Sequence, residues 1–243
     1  MAQADESPVR SRPRDLAQVR SAPLSRRHER AIRALNVAVA TLLLIVTMPV
    51  WLLVAIAIKL TSRGSVFYTQ QRVGLDVRHR PDRRGGGRAD VRRSEDIGGR
   101  PFTILKFRTM RVDAEAGGNA VWASANDNRL TPIGGFLRSC RADELPQLLN
   151  VIRGEMNLVG PRPERPQLFS QLRAQVPDYQ KRQRVPPGIT GHAQVHLQYD
   201  TSVEDVKRKV QHDLEYIARR TVWEDLRIML KTIPVMLFRK GGW

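Results

Sequence analysis

The chain contains a single cysteine, Cys140, among its 243 residues. It therefore cannot form an internal disulfide, and this cysteine usage is typical of a protein kept in a reducing compartment. No Cys/His spacing in the sequence resembles a zinc site. His192 and His196 could share a helix face, but the sequence shows no partner ligand for them, and we interpret them as ordinary surface or core residues.

Several common catalytic motifs are absent as well. The sequence has no P-loop, no Gly-x-Gly-x-x-Gly fingerprint, no serine nucleophile elbow and no internal repeat. Any chemistry must therefore come from other residues. The length suits one domain with a hydrophobic core plus appendages.

Acidic residues are scarce relative to basic ones. The 24 Asp and Glu residues are outnumbered by 41 Lys and Arg residues, which gives a formal net charge of +17. A surface with this charge attracts anions, and the candidates are nucleic acid, acidic lipid and phosphorylated substrates.

A charge-free apolar run is present near the N-terminus, over residues 34–58. A transmembrane helix needs about 20 consecutive apolar residues, so this run is long enough to cross a bilayer core. It follows an arginine-rich leader and lacks a small-residue cleavage site, unlike a cleaved signal peptide. The sequence therefore predicts a membrane-bound protein.

The flanks of this run carry positive charge on both sides. The flanking cations are Arg26, Arg27, Arg30 and Arg33 before the run, and Lys59, Arg63 and Arg72 after it. The positive-inside rule then assigns both ends to the cytoplasm. Pro49 removes a helical hydrogen bond and should kink the helix, so a re-entrant helix that bends at Pro49 satisfies the charges. A single-span anchor with a tolerated proline is the alternative.

The segments around this helix are predicted from pattern and composition. Residues 1–30 are polar and basic, which indicates a disordered arm that can lie on anionic lipid. Short strands are predicted at 66–70 and 102–107, and the segment 78–98 between them is predicted to be a flexible Arg/Gly-rich insertion.

Two helices are predicted near the C-terminus, at 203–219 and 222–240. The second contains Pro234, which should break or bend it. Their apolar faces, edged by basic residues, suit amphipathic helices in a lipid interface, although packing on the core is an equally ordinary use. The predicted fold class is α+β and mostly helical.

Asp143 and Glu144 form an adjacent acid pair in a basic segment. The apolar spacing of Leu145, Leu148 and Ile152 predicts a helix there, with Pro146 in its first turn, so the acids should lie at its N-terminal end. The helix dipole would favour ionised carboxylates and a bound phosphate at that end. The alternative is that Asp143 is only an N-cap and Glu144 a first-turn acid.

Several motifs occur in a fixed order after the apolar helix. They are Gln71-Arg72-Val73-Gly74, Lys106-Phe107-Arg108-Thr109-Met110, DELPQLLNV, LVGPRPE, Pro187-Gly188-Ile189-Thr190-Gly191 and Ala193-Gln194-Val195. In this order they resemble the bacterial sugar transferase family, the monotopic phosphoglycosyl transferases of the small type that primes exopolysaccharide assembly. The resemblance covers roughly residues 30–238.

The resemblance implies an activity and an organisation. Family members transfer a sugar-1-phosphate from a UDP-sugar to a polyprenyl phosphate such as undecaprenyl phosphate, releasing UMP at the cytoplasmic face of the inner membrane. The implied organisation is a disordered basic arm at 1–30, a re-entrant membrane helix at 31–60 and a cytosolic catalytic domain at 61–243. Lipid of the bacterial inner membrane is the expected surface, and no nucleic-acid partner is expected; the sugar and the oligomeric state are left open.

The resemblance also implies site residues. Asp143 would be the nucleophile that forms an aspartyl-phosphosugar intermediate, and Glu144 would help it hold Mg²⁺. The phosphate- or substrate-binding candidates by motif position are Lys106, Arg108, Arg138, Arg162, Gly188, Thr190, Gly191 and Gln194. Arginine's planar fork suits two-point contact with phosphate oxygens.

A hypothesis from another class is a membrane-tethered, non-catalytic scaffold or polyanion-binding protein. Its basic surface would hold anionic lipid, nucleic acid or a partner without any need for Asp143.

Overall fold

The computed structural model describes residues 25–77, 97–112, 114, 127–197 and 202–238. Most of the predicted basic arm and all but the last two residues of the predicted insertion, 78–98, lie outside the described residues. Within the described part, the fold is a mostly helical α+β arrangement with one long apolar helix at the N-terminal side.

That long helix, α1, runs from Arg26 to Thr61. The hydroxyl of Ser25 caps its start by accepting from the backbone N–H of His28, so residues 26–30 belong to the helix and not to the arm. The helix continues through Pro49 without interruption. By length and composition alone it could cross a membrane.

Two small sheets contribute the strands. The two predicted strands are present with somewhat different ends, as β1 (Phe67–Val73) and β2 (Pro101–Phe107), and they pair antiparallel. β3 (Asn157–Val159) pairs parallel with β4 (Gly188–Thr190). Sequence patterns missed this second pair because three-residue strands carry too little alternation to register.

The remaining elements are short helices followed by two long ones. They are α2 (Gly134–Ser139), a 3₁₀ turn (Ala142–Glu144), α3 (Gln147–Arg153), α4 (Pro166–Gln175), a 3₁₀ helix (Tyr179–Arg184), α5 (His192–His196), α6 (Val203–Arg219) and α7 (Val222–Phe238). α6 has the predicted bounds and starts with a capping box between Ser202 and Asp205. Of the break or bend predicted at Pro234, the break is wrong, because α7 continues past this residue.

The core joins α1 to the rest of the protein at two places. The N-terminal half of α1 contributes Ala40 to the main apolar cluster, which is built largely from α3, α4, α6 and β3. Near its other end, Val54 and Ile58 pack with Phe107 and Leu137 in a second, smaller cluster. Both ends of α1 therefore contact the same folded domain.

Candidate active site

The acid pair lies just before α3. The acids were predicted at the N-terminal end of the helix, but Asp143 and Glu144 occupy the 3₁₀ turn and precede the first residue of α3, Gln147, by a few residues. Arg141, in the left-handed region at φ 58°, turns the chain into this segment. Each acid is only 6% exposed, and burial this deep requires charged or hydrogen-bonding partners.

Three cations supply those partners. Lys106, at the end of β2, places Nζ 2.7 Å from Glu144 Oε1 and 3.6 Å from Asp143 Oδ2. Arg162 places Nη2 2.7 Å from the same Glu144 oxygen, and Arg141 Nη1 lies 4.0 Å from Glu144 Oε2. The structure thus brings together four predicted residues and adds Arg141, which was missed although it stands two positions before the pair in the sequence.

The two carboxylates have opposite electrostatic environments. Burial would raise the pKa of Glu144, but the Arg162 and Lys106 charges outweigh it and hold the pKa of that carboxyl well below its usual range. For Asp143 burial dominates over the Lys106 charge, and the neighbouring Glu144 adds to it, so the pKa of Asp143 is raised. Pairs of carboxyls whose pKa values are driven apart are typical of catalytic sites with divided roles.

A buried network holds the turn that carries Arg162. Arg182 Nη2 donates to the carbonyl of Arg162 at 3.2 Å, and Arg72 Nη1 donates to that of Pro163 at 3.0 Å. Arg182 is fully buried and pairs with Asp213 at 2.7 Å. These hydrogen bonds fix the backbone on which Arg162 stands between two prolines, and so fix the position of its side chain at the acid pair.

Arg108 and Arg138 make other contacts. The Arg108 guanidinium donates to the carbonyls of Arg63 and Ser62 and to the Ser62 hydroxyl, so it anchors the end of α1 and is not brought to the acid pair. Arg138 Nε donates to Thr109 Oγ1 at 3.0 Å. Its charge still acts on Asp143, where it favours the ionised carboxylate.

The predicted glycine-rich substrate loop has a structural explanation. A Cβ atom at Gly188 or Gly191 would overlap the backbone of Gly160, so both glycines permit the close approach of two chain segments. Thr190 Oγ1 bonds Thr232 Oγ1 at 2.8 Å, and Gln194 Nε2 donates to the Ile189 carbonyl at 3.0 Å. The two glycines therefore let this segment pack directly against the turn that starts at Gly160.

The donor set at the acid pair fits a hard divalent cation. Mg²⁺ prefers carboxylate oxygens and is usually held by one or two of them together with substrate phosphates. Glu144 Oε1 is bound by two cationic side chains, while the ion pair of Oε2 within the described part of the chain is with the more distant Arg141. The residues that would hold Mg²⁺ here are Glu144 and Asp143.

Comparison with known proteins assigns a family to this chain. The family described as "Bacterial sugar transferase" matches residues 27–81 and 88–239, so the chain belongs to the bacterial sugar transferase family.

Its relatives include proteins that differ in size and named substrate. The chain is 40% identical over 207 residues to the UDP-glucose:undecaprenyl-phosphate glucose-1-phosphate transferase of Caulobacter vibrioides, covering 84% of this chain and 69% of that protein. It is 37% identical over 214 residues to the Escherichia coli K12 protein of the same name, covering 87% of this chain and 41% of the relative.

A smaller relative names a different sugar. The putative undecaprenyl-phosphate N-acetylgalactosaminyl 1-phosphate transferase of Bacillus subtilis is 34% identical over 200 residues, covering 81% of this chain and 95% of the relative. The chain therefore spans nearly all of some relatives and less than half of others, and the two sugar names leave the donor open.

Proposed function

We propose that this protein transfers a sugar-1-phosphate from a UDP-sugar to undecaprenyl phosphate, with release of UMP. The observation that carries the proposal is the buried Asp143–Glu144 pair held by Lys106 and Arg162. Relatives named as undecaprenyl-phosphate sugar phosphotransferases support the same reaction.

The opposite pKa shifts of the two carboxyl groups assign a role to each acid. Asp143 has a raised pKa, and its ion pair with Lys106 is 3.6 Å long, against 2.7 Å for the contacts of Glu144, so the Asp143 carboxylate is the more basic and the freer to attack. Glu144 stays anionic and binds cations. In this proposal an Asp143 oxygen attacks the phosphorus that bears the sugar, and the bond to the UMP oxygen breaks.

The second half of the reaction regenerates the enzyme. An oxygen of undecaprenyl phosphate attacks the same phosphorus, and the acyl-phosphate bond to Asp143 breaks. The product is undecaprenyl diphosphate carrying the sugar, and the Asp143 carboxylate is restored. Aspartate and the acceptor phosphate are anionic near neutral pH, so repulsion between anions is the main obstacle. Lys106, Arg141 and Arg162 reduce that repulsion, and bound Mg²⁺ would add further neutralisation of the diphosphate.

The packing of α1 supports a re-entrant arrangement in the bacterial inner membrane. Ala40 and Val54 both pack on the same domain, and none of residues 41–53 between them is buried. Leu44 and Trp51 pack against the two apolar clusters as partly buried residues. The whole stretch 41–53 spans about 20 Å at 1.5 Å per residue, less than the hydrocarbon core of about 30 Å. A helix with both ends on one domain enters and leaves by one face, which we propose is the cytoplasmic face.

Exposed apolar side chains mark the proposed lipid contact. On α1 they are Leu42, Ile45, Val46, Leu52 and Leu53, each at least 60% exposed. α7 adds Trp223 and Leu230, which are 80% and 67% exposed. Large apolar groups this exposed on a helix suit an acyl-chain boundary better than water.

Cysteine labelling tests this topology. In a Cys140→Ser background, Ala31→Cys and Thr61→Cys, both at exposed positions of α1, should react with a membrane-impermeant maleimide in inside-out vesicles and resist it in intact spheroplasts. Ile45→Cys, in the proposed lipid-facing stretch, should resist it in both. Labelling of one end only from the periplasmic side would make the re-entrant arrangement wrong and favour a single span.

The reaction is tested by UMP release from detergent-solubilised full-length protein. The assay combines Mg²⁺, undecaprenyl phosphate and one UDP-sugar at a time, chosen among UDP-glucose, UDP-galactose and their N-acetylated counterparts. We expect one donor to give UMP only when the acceptor is present. If no donor does so while the solubilised protein stays folded, and the same protein binds lipid vesicles once detergent is removed, the transferase proposal fails in favour of a tether or scaffold.

A further inference from the structure

Three histidines from two helices lie together on the side of the domain formed by α5 and α6. His192 and His196 are the first and last residues of α5, and His212 lies in α6. One ligand atom from each falls within 4.8 Å of the others. The ring centroids are 4.3 to 5.7 Å apart. The partner that the sequence could not supply for His192 and His196 is therefore present in the fold.

The hydrogen bonds of His196 define its tautomer. Its Nδ1 lies 2.8 Å from the carbonyl oxygen of His192, and because a carbonyl only accepts, Nδ1 carries the proton and donates. The lone pair is then on Nε2, which accepts from Lys231 Nζ at 3.2 Å. Metal-binding histidines are commonly oriented by this kind of N–H to carbonyl bond, with the other nitrogen free for the ion.

His192 and His212 also offer ring nitrogens to a ligand. The Nδ1 atom of each is buried and has no hydrogen-bond partner within the described residues. Buried polar atoms are normally satisfied, so these two nitrogens indicate that a partner is still to be bound at the cluster.

We propose that His192, His196 and His212 form a binding site for one Zn²⁺ ion, separate from the acid pair and independent of the proposed transferase reaction. Three imidazole nitrogens are a common zinc ligand set, with water completing four-coordination. Nitrogen donors favour zinc over Mg²⁺, which prefers oxygen. Lys231 Nζ donates to the lone pair of His196 Nε2, so the ammonium must move aside when the ion binds.

The site would fasten α5 to α6 beside the network that supports Arg162. α5 follows β4, whose Gly188 packs against Gly160 at the start of the Arg162 turn. His212 is adjacent in sequence to Asp213, the buried partner of Arg182. Bound zinc would therefore stabilise the segments on which that turn rests.

Metal titration of the full-length protein in detergent tests the site. After chelator treatment, Zn²⁺ alone is added and followed by calorimetry, and Co²⁺ is used as a spectroscopic probe. We expect one equivalent of Zn²⁺, a higher melting temperature, and visible Co²⁺ bands without a thiolate charge-transfer band. A thiolate band would place the ion at Cys140 and overturn the proposal, as would the absence of stoichiometric binding.

Matched variants locate the ion. Loss of a residue that only orients a ligand costs about 10- to 100-fold in affinity, so His196→Ala and His212→Ala should each weaken binding at least about 100-fold. His28→Ala, on the exposed start of α1, should bind like the parent protein. Lys231→Met removes the competing ammonium and should bind more tightly. Unchanged affinity in the cluster variants, or lost affinity in Lys231→Met, would overturn the assignment.

Discussion

Replacing Asp143 by Asn should reduce UMP release at least about 1,000-fold and abolish any covalent adduct, because an amide cannot act as the phosphorus-attacking carboxylate. The change keeps the shape of the side chain. It removes a carboxyl group whose pKa is already raised by burial, so the folded protein loses little by giving up its charge and the fold should be retained. The measurements are acceptor-dependent UMP release, and mass spectrometry of the quenched protein after incubation with the UDP-sugar alone.

The control for this variant is Asp178→Asn. Asp178 is an exposed acid in the left-handed region, φ 62°, a conformation that Asn also tolerates. The same chemical change there should leave UMP release unchanged. If Asp143→Asn retains more than about a tenth of the parent rate, Asp143 is not the nucleophile, because removal of a covalent nucleophile costs orders of magnitude.

The acid pair could be predicted from the sequence because its neighbours are local. The short-range pattern around residues 143–152 indicates a helical segment, and the family resemblance gave Lys106 and Arg162 as phosphate-binding candidates. The division of roles could not be predicted, because it depends on which cations contact which carboxylate oxygen. Lys106 comes from β2, 38 positions away, and only the packing of β2 beside the 3₁₀ turn brings it to Glu144.

The role of Arg108 shows the opposite case. It shares a motif with Lys106, two positions along the chain, and motif position alone gave both the same predicted role. Because successive side chains of a strand alternate between its faces, residues two apart share a face only while the strand continues. β2 ends at Phe107, and Arg108 is directed to the end of α1.

The fold shows the same difference between features set by local sequence and features set by long-range packing. α6 was predicted with its observed bounds because its helical pattern is a local signal, and the capping box that starts it in the structure is local as well. The three-histidine cluster was not predicted, since His196 and His212 belong to different helices, and their proximity depends on how α5 packs against α6. Long-range packing of this kind has no signature in a single sequence.

Arg182→Met should lower the free energy of unfolding by about 3–5 kcal/mol, the usual cost of breaking a buried ion pair by removing one partner. Arg182 has no solvent exposure, and its Nε lies 2.7 Å from Asp213 Oδ2 and its Nη1 4.0 Å from Glu164 Oε1. Methionine fills similar apolar volume but leaves the Asp213 carboxylate buried without its cation. For a domain of this size we expect a melting temperature lower by roughly 10 °C, measured by scanning calorimetry in one detergent.

The loss of unfolding free energy in Arg182→Met should depend on pH, because it depends on the protonation of Asp213. Burial already raises the pKa of this carboxyl above its usual value, and removing Arg182 takes away the main opposing charge, so the pKa rises further. A group whose pKa is higher in the folded state costs stability as pH rises through that value and costs none below its unfolded pKa. The difference between variant and parent should therefore be larger at about pH 8 than at about pH 5.

Two further variants separate this effect from general damage. Arg208→Met breaks an exposed pair with Asp205 on the same helix as Asp213, and should change stability by less than about 1 kcal/mol. In the double variant Arg182→Met/Asp213→Leu no carboxylate is stranded, and much of the lost stability should return, since a buried ion pair can often be replaced by apolar side chains. If the double variant is no more stable than Arg182→Met alone, the penalty does not come from the uncompensated charge of Asp213, and the network stabilises the Arg162 turn by its packing instead.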